Sequence, residues 1–160
     1  MTATSAGASA AQLPAQQSSR TAGLMFLRVI KDGELPPPPI AELLGFRIEA
    51  LEPTMVTFAL DPGEQHYNPI GVVHGGVTAT LLDTVMGCAL HTLLPPDTAY
   101  TTLDINVRFV RPVTTDTGTV LATGTVLHRG RRTATAEARL VAAAGGQLLA
   151  HGTSSLLVLS

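Results

Sequence analysis

The 160-residue chain has no tryptophan, two tyrosines, four phenylalanines and one cysteine, and only 14% of its residues are charged. A single cysteine excludes a disulfide framework within the chain and agrees with a reducing compartment. So few aromatics form no stacking platform for bases, and a formal net charge of -2 supplies no basic surface, so no nucleic-acid partner is expected. No pair of histidines stands at a zinc-ligand spacing, and no metal or separate cofactor is expected. Residues 1–20, rich in Ala, Ser, Thr and Gln, lack the continuous apolar core of a signal peptide, and the cytoplasm is the expected location.

What the chain does have is apolar content, 45% hydrophobic residues, which fits a compact or oligomeric globule of sizeable core. A disordered tail is expected over residues 1–22 and a single domain over 23–160. Leu24, Leu27 and Val29/Ile30 have helical spacing. Pro36–Pro39 is a stiff polyproline stretch, and Ile40–Leu44 suits one helical turn stopped by Gly45. One strand is expected over Phe46–Leu60, interrupted at Pro53. Four more strand candidates follow residue 95. Leu103, Ile105, Val107 and Phe109 alternate with Asp104, Asn106 and Arg108, which predicts an inward apolar set. Arg111-Pro112, Arg129-Gly130 and Gly145-Gly146 separate the rest, and such short connections require antiparallel pairing.

Between the two strand groups, Val77–Leu94 reads as a helix that is apolar on every side, the pattern of a buried helix. Asp83 at its centre and His91 near its end argue against a membrane span. The expected architecture is α+β, a long antiparallel sheet of five or six strands wrapped around this helix. One sheet cannot cover a helix on all sides, so oligomerisation is expected too.

Asp83 is the only carboxylate between Gly76 and Leu90. A carboxylate in apolar surroundings is costly unless paired, protonated or functional. Ahead of it stand Asn68-Pro69 and His74-Gly75-Gly76 at the helix start, where free N–H groups and the positive dipole end suit an oxyanion and glycine leaves room for a substrate. Cys88, mid-helix among apolar residues, reads as a packing residue, and His66, His91, His128 and His151 as bystanders. Asp83 read blandly is a structural carboxylate bonded to a neighbouring subunit, and Asn68 read blandly is a loop cap.

With Leu103-Asp104-Ile105-Asn106, Arg111-Pro112 and the Arg129-Gly130-Arg131 turn, this set resembles the hotdog-fold acyl-CoA thioesterases, in particular the phenylacetate-pathway (PaaI-like) branch, over roughly residues 43–159. The resemblance implies thioester hydrolysis, with the Gly75 N–H polarising the carbonyl and Asp83 as base or nucleophile. It gives His74 a supporting role, makes Asn68 and Thr102 positioning groups, and places Gly76 beside the substrate. Strand parity sets Thr102 with Asp104 and away from Leu103, which leaves Thr101 as its alternative. Arg108, Arg111, Arg129 and Arg131, with Arg132, are candidates for the phosphates of an acyl- or aryl-CoA partner. Gly75 and Asp83, eight residues apart on one helix, are separated by about 12 Å at ~1.5 Å per residue, too far to share one carbonyl group. A homodimer at least is therefore expected, and the cover that the apolar helix needs, with the resemblance, implies a homotetramer in full. Two other readings stay open: a hotdog dehydratase or hydratase, which would need a catalytic histidine in another context than His74, and a non-catalytic acyl-CoA binding module.

Overall fold

The computed structural model describes residues 22–159, so the tail expected over 1–22 lies almost wholly outside the described residues. Three helices, α1 (Gly23–Lys31), α2 (Pro39–Leu44) and α3 (Gly75–His91), accompany six strands. These are β1 (Phe46–Glu52), β2 (Met55–Leu60), β3 (Ala99–Phe109), β4 (Val120–Arg129), β5 (Thr133–Ala142) and β6 (Leu148–Leu159). All neighbours are antiparallel, in the order β1-β2-β4-β5-β6-β3. α3 packs against β2 through β6. The chain thus adopts the expected hotdog arrangement of a long antiparallel sheet on one central helix.

The small side chains of the sheet explain how the helix gets so close. β5 alternates outward Thr133, Thr135, Glu137 and Arg139 with buried Ala134, Ala136, Ala138 and Leu140, a half-buried strand's period of two. Alanines 122, 142 and 150 continue this low inner face. At Gly124 of β4 an added Cβ would run into the backbone of Val85, so glycine marks the point where helix and sheet touch. Into that space α3 sends Leu81, Leu82, Val85, Met86 and Leu90, all fully buried. Each contributes about 1.5–3 kcal/mol of burial free energy.

Two expectations about strands are corrected. The segment 46–60 is a hairpin, not one interrupted strand: Pro53-Thr54 is its turn, and Thr54 takes φ 71°. The turn is held because the Thr54 N–H donates to Thr92 Oγ1 (2.9 Å), which itself donates to Ala89 O at the end of α3 (2.7 Å). In β3 a bulge at Leu103 makes Thr102 and Asp104 oppose consecutive residues of β6. A bulge reverses side-chain parity downstream. Tyr100 and Thr102 therefore face the helix side, while Leu103, expected inward, is exposed. β3 is also an edge strand, and Ile105 and Phe109 are exposed as well.

Candidate functional site

The helix start is built before the helix. Val73 N–H donates to Val113 O (2.9 Å) and His74 N–H to His66 O (2.7 Å), pinning the loop between the segment after β3 and a short turn at Glu64–His66. His66 is buried; its Nδ1 accepts from Gly63 N–H (3.0 Å), so its Nε2–H donates to Leu44 O (3.0 Å). This histidine, read as a bystander in the sequence, is what holds His74 in place. His74 is the N-cap of α3, and its Nδ1 accepts the Gly76 N–H at 2.8 Å. The Gly76 N–H is thereby committed inside the protein, and an added Cβ there would lie 2.9 Å from His74 Nδ1. Gly76 makes room for the cap.

The Gly75 N–H, by contrast, donates to no group among the described residues. Gly75 lines a cavity of about 330 Å³ together with Asn68, Val72, Thr78, Phe109 and Arg111. Asn68 spends its Oδ1 on its own loop, accepting from Ile70 N–H (3.1 Å) and Val72 N–H (3.3 Å), which is the loop-cap geometry. Phe109 lies over Gly75, its ring 3.1 Å from where a Cβ would stand. A side chain there would need the exposed Phe109 ring to shift by a few tenths of an ångström.

One helical stretch further on, Asp83 is half-buried rather than buried, on a partly uncovered stripe of α3 with Gly76, Ala79 and Thr80. Thr102 Oγ1 donates to Asp83 Oδ1 at 2.8 Å, whereas Thr101 is exposed on the other side of β3. Thr80 and Thr84 turn their hydroxyls back onto the carbonyls of Gly76 and Thr80, so neither competes for the carboxylate. Burial first, and the nearby Asp83 carboxylate second, push the Cys88 thiol up to about 12, which keeps it a thiol and no nucleophile. Burial, then the same neighbours Cys88 and Asp83, also raise the Tyr100 phenol well above its ordinary value.

The arginines divide between two ends of the sheet. Arg111 Nη1 donates to Leu148 O (2.7 Å) beside the Gly75 cavity, and Arg108 Nη1 donates to Asn106 Oδ1 (3.1 Å) at the surface. Arg131 and Arg132 border a cavity of about 430 Å³ with Leu157–Leu159. Leu157 pairs with Thr101, next to Thr102, so this pair belongs to the Asp83 end. Arg129 is exposed at the end of β4. Among the described residues no group of histidine, cysteine and carboxylate side chains could hold a metal ion, and no helix is long and apolar enough to cross a membrane.

Sequence reasoning missed Tyr100, Phe109 and the supporting His66. The alternation of β3 gave the only signal for the two aromatics, and the bulge at Leu103 scrambled it for Tyr100.

Residues 70–149 match the family model described as the thioesterase superfamily. A putative esterase of Halobacterium salinarum is 38% identical over 82 residues, 50% of this chain and 48% of that protein. Human acyl-coenzyme A thioesterase 13 is 34% identical over 89 residues, 56% of this chain and 62% of that protein. The chain thus spans about half to three-fifths of the length of these curated relatives. Among solved structures, a putative thioesterase from Ralstonia eutropha, described as phenylacetic acid degradation-related, superposes with TM-score 0.73 at 26% identity. That alignment covers 82% of this chain and 98% of the other.

Proposed function

The chain belongs to the thioesterase superfamily, and on that premise we propose that it hydrolyses an acyl- or aryl-CoA thioester to the free acid and CoA. The observation that carries this reading is a pair of unspent groups at the two ends of one helical stretch. They are a carboxylate oriented by a threonine hydroxyl, and a backbone N–H that donates to nothing while its neighbour is tied up by His74. An N–H at a helix N-terminus stabilises the negative oxygen that forms when a carbonyl is attacked. A carboxylate opposite it serves as base for the attacking water or as the attacking nucleophile. In either case the C–S bond breaks and CoA leaves as the thiolate, which takes up a proton; after direct attack, water then cleaves the mixed anhydride on Asp83, releasing the acid and restoring the carboxylate.

About 12 Å of helix separates Gly75 from Asp83, so the two act on one thioester only across a subunit boundary. Asp83 of one protomer meets Gly75 of the partner subunit. Two features support that assembly: the partly uncovered stripe of α3 around Asp83 and the apolar edge strand β3; the name of the human relative, an acyl-CoA thioesterase, supports the substrate class. An exposed apolar edge is a ready template for pairing with a second chain. Arg111 at one end and Arg131 with Arg132 at the other supply cations for the CoA phosphates once two protomers join their ends.

The test is thiol release from a panel of acyl-CoA thioesters by wild type and Asp83→Asn. The variant keeps its shape and its Thr102 partner, and its kcat is expected to fall by about 10²–10⁴-fold, the contribution of a positioned base. Undiminished turnover by Asp83→Asn across the panel would remove Asp83 from the chemistry.

A further inference from the structure

Next to Thr84, the neighbour of Asp83, and roofed by residues that lie outside the stretch matched to the family, is a partly open apolar cavity of about 220 Å³. Phe26, Leu27 and Ile30 of α1 form one wall, Phe58 of β2 another, and Cys88 with Tyr100 the side nearest Asp83. Its lining continues to Thr84, the residue after Asp83. α1 is seated firmly enough to act as a wall. Gly23 N–H donates to Leu94 O (3.0 Å), a Cβ at Gly23 would collide with His91 O, and the Phe26 ring meets His91 edge-on at 5.8 Å.

The direction of the cavity follows from register. Tyr100 lies two residues before Thr102 on β3, about 7 Å along the strand, and Gly87 lies one turn beyond Asp83 on α3, about 6 Å along the helix. Tyr100 rests on Gly87, where a Cβ would stand 2.7 Å from the phenol oxygen, so the glycine keeps the slot open. The Tyr100–Gly87 step is therefore one level deeper than the Thr102–Asp83 step. Tyr100, Cys88 and His91 all line the cavity, so it lies at that deeper level and beyond it toward the end of α3.

We propose that the acyl group of the thioester runs from Asp83 past Tyr100 into this cavity, and that α1 sets the size of acyl group accepted. The inference rests on the thioesterase reading and adds to it a substrate class. A dry cavity of about 150 Å³ takes a benzene ring, about 25 Å³ per carbon, so 220 Å³ takes roughly eight to nine carbons: a medium-length chain, or one ring with a short linker. The walls offer almost no cation or anion to a charged acyl tail; Arg47 borders the cavity, but its guanidinium is paired with Asp61 at 2.9 Å.

The experiment is a CoA-thioester series from acetyl to palmitoyl, read by thiol release, for wild type, Leu27→Trp, Ile30→Trp and Leu27→Ala. Wild-type kcat/KM is expected to rise toward about eight carbons and fall beyond, since each methylene in a fitted pocket changes kcat/KM by about tenfold or more. Either tryptophan intrudes on the cavity and should lower octanoyl-CoA turnover at least about tenfold while acetyl-CoA stays within about threefold. Leu27→Ala should move the optimum to longer chains. Leu27 is more buried than Ile30; if Leu27→Trp does not fold, Ile30→Trp at the partly buried position decides. A folded tryptophan variant with the wild-type chain-length profile overturns the cavity assignment and leaves the hydrolase reading standing. Wild type that cleaves no thioester at all overturns both.

Discussion

Asp83 depends on Thr102 for its orientation, and the two can be separated experimentally. A hydrogen bond to a charged group contributes about 1.5–3 kcal/mol, which corresponds to roughly 10–150-fold in rate if it holds the carboxylate on line. Thr102→Ala is expected to lower kcat within that range with a smaller effect on KM, and Thr102→Ser to restore most of it. Equal kcat in Thr102→Ala and wild type would make the 2.8 Å contact merely structural. His91 sets a different, pH-dependent property. Burial holds its imidazole below its ordinary value, so the folded state keeps it neutral where the unfolded chain would protonate it. The stability this gives is complete above about pH 6.5 and is lost as pH falls below that value toward the folded-state pKa. Thermal melts at pH 7.5 and 5.5 should show a larger drop for wild type than for His91→Gln. Equal drops would mean that His91 does not contribute.

At the scale of elements, the contact between α3 and the sheet is set by glycine. At Gly124 a methyl group would meet the backbone of Val85, which no rotamer change relieves. Overpacking of this kind costs about 1–3 kcal/mol, occasionally more. Gly124→Ala is expected to lower Tm by about 2–12 °C, given roughly 2–4 °C per kcal/mol for a chain of this size, and Gly145→Ala, where space is open but φ is +82°, by less. Elements of this kind were readable in advance where they carry their own punctuation. The apolar α3, the Gly45 stop and the alternation of β5 each announce a period or a cap. The hairpin at Pro53-Thr54 was not readable, because a two-residue turn with positive φ at threonine has no composition signal and is held instead by Thr92, 38 residues away. The same limit applied to the site. His74, Gly75 and Asp83 sit on one helix and could be related by rise alone. Placing Tyr100 over Gly87, or Phe109 over Gly75, depends on a bulge at Leu103 and on strand register, and neither is local in sequence.

For the molecule as a whole, the decisive question is whether one chain can act alone. We propose a dimer that completes the site and a tetramer built from two such dimers, because α3 leaves the Asp83 stripe uncovered and β3 leaves an apolar edge. The cross-subunit site can be tested by complementation. Gly75 is the first residue of α3, a position that accepts proline because its N–H has no helical partner, and His74 at ψ 134° already has the extended backbone that precedes proline comfortably. Gly75→Pro therefore deletes the proposed oxyanion donor with little cost to the helix, the exposed Phe109 ring having room to move aside. Gly75→Pro and Asp83→Asn should each be nearly inactive as homo-oligomers. After subunit exchange at equal amounts, half of the dimers are mixed, and each mixed dimer holds one site with both groups intact and one with neither. Twofold symmetry thus sets the expected recovery at about a quarter of wild-type activity. Recovery to that level, with sedimentation showing dimers or tetramers, is the expected outcome. No recovery despite demonstrated exchange, or an active monomer, would place both groups' chemistry within one chain and remove the cross-subunit site.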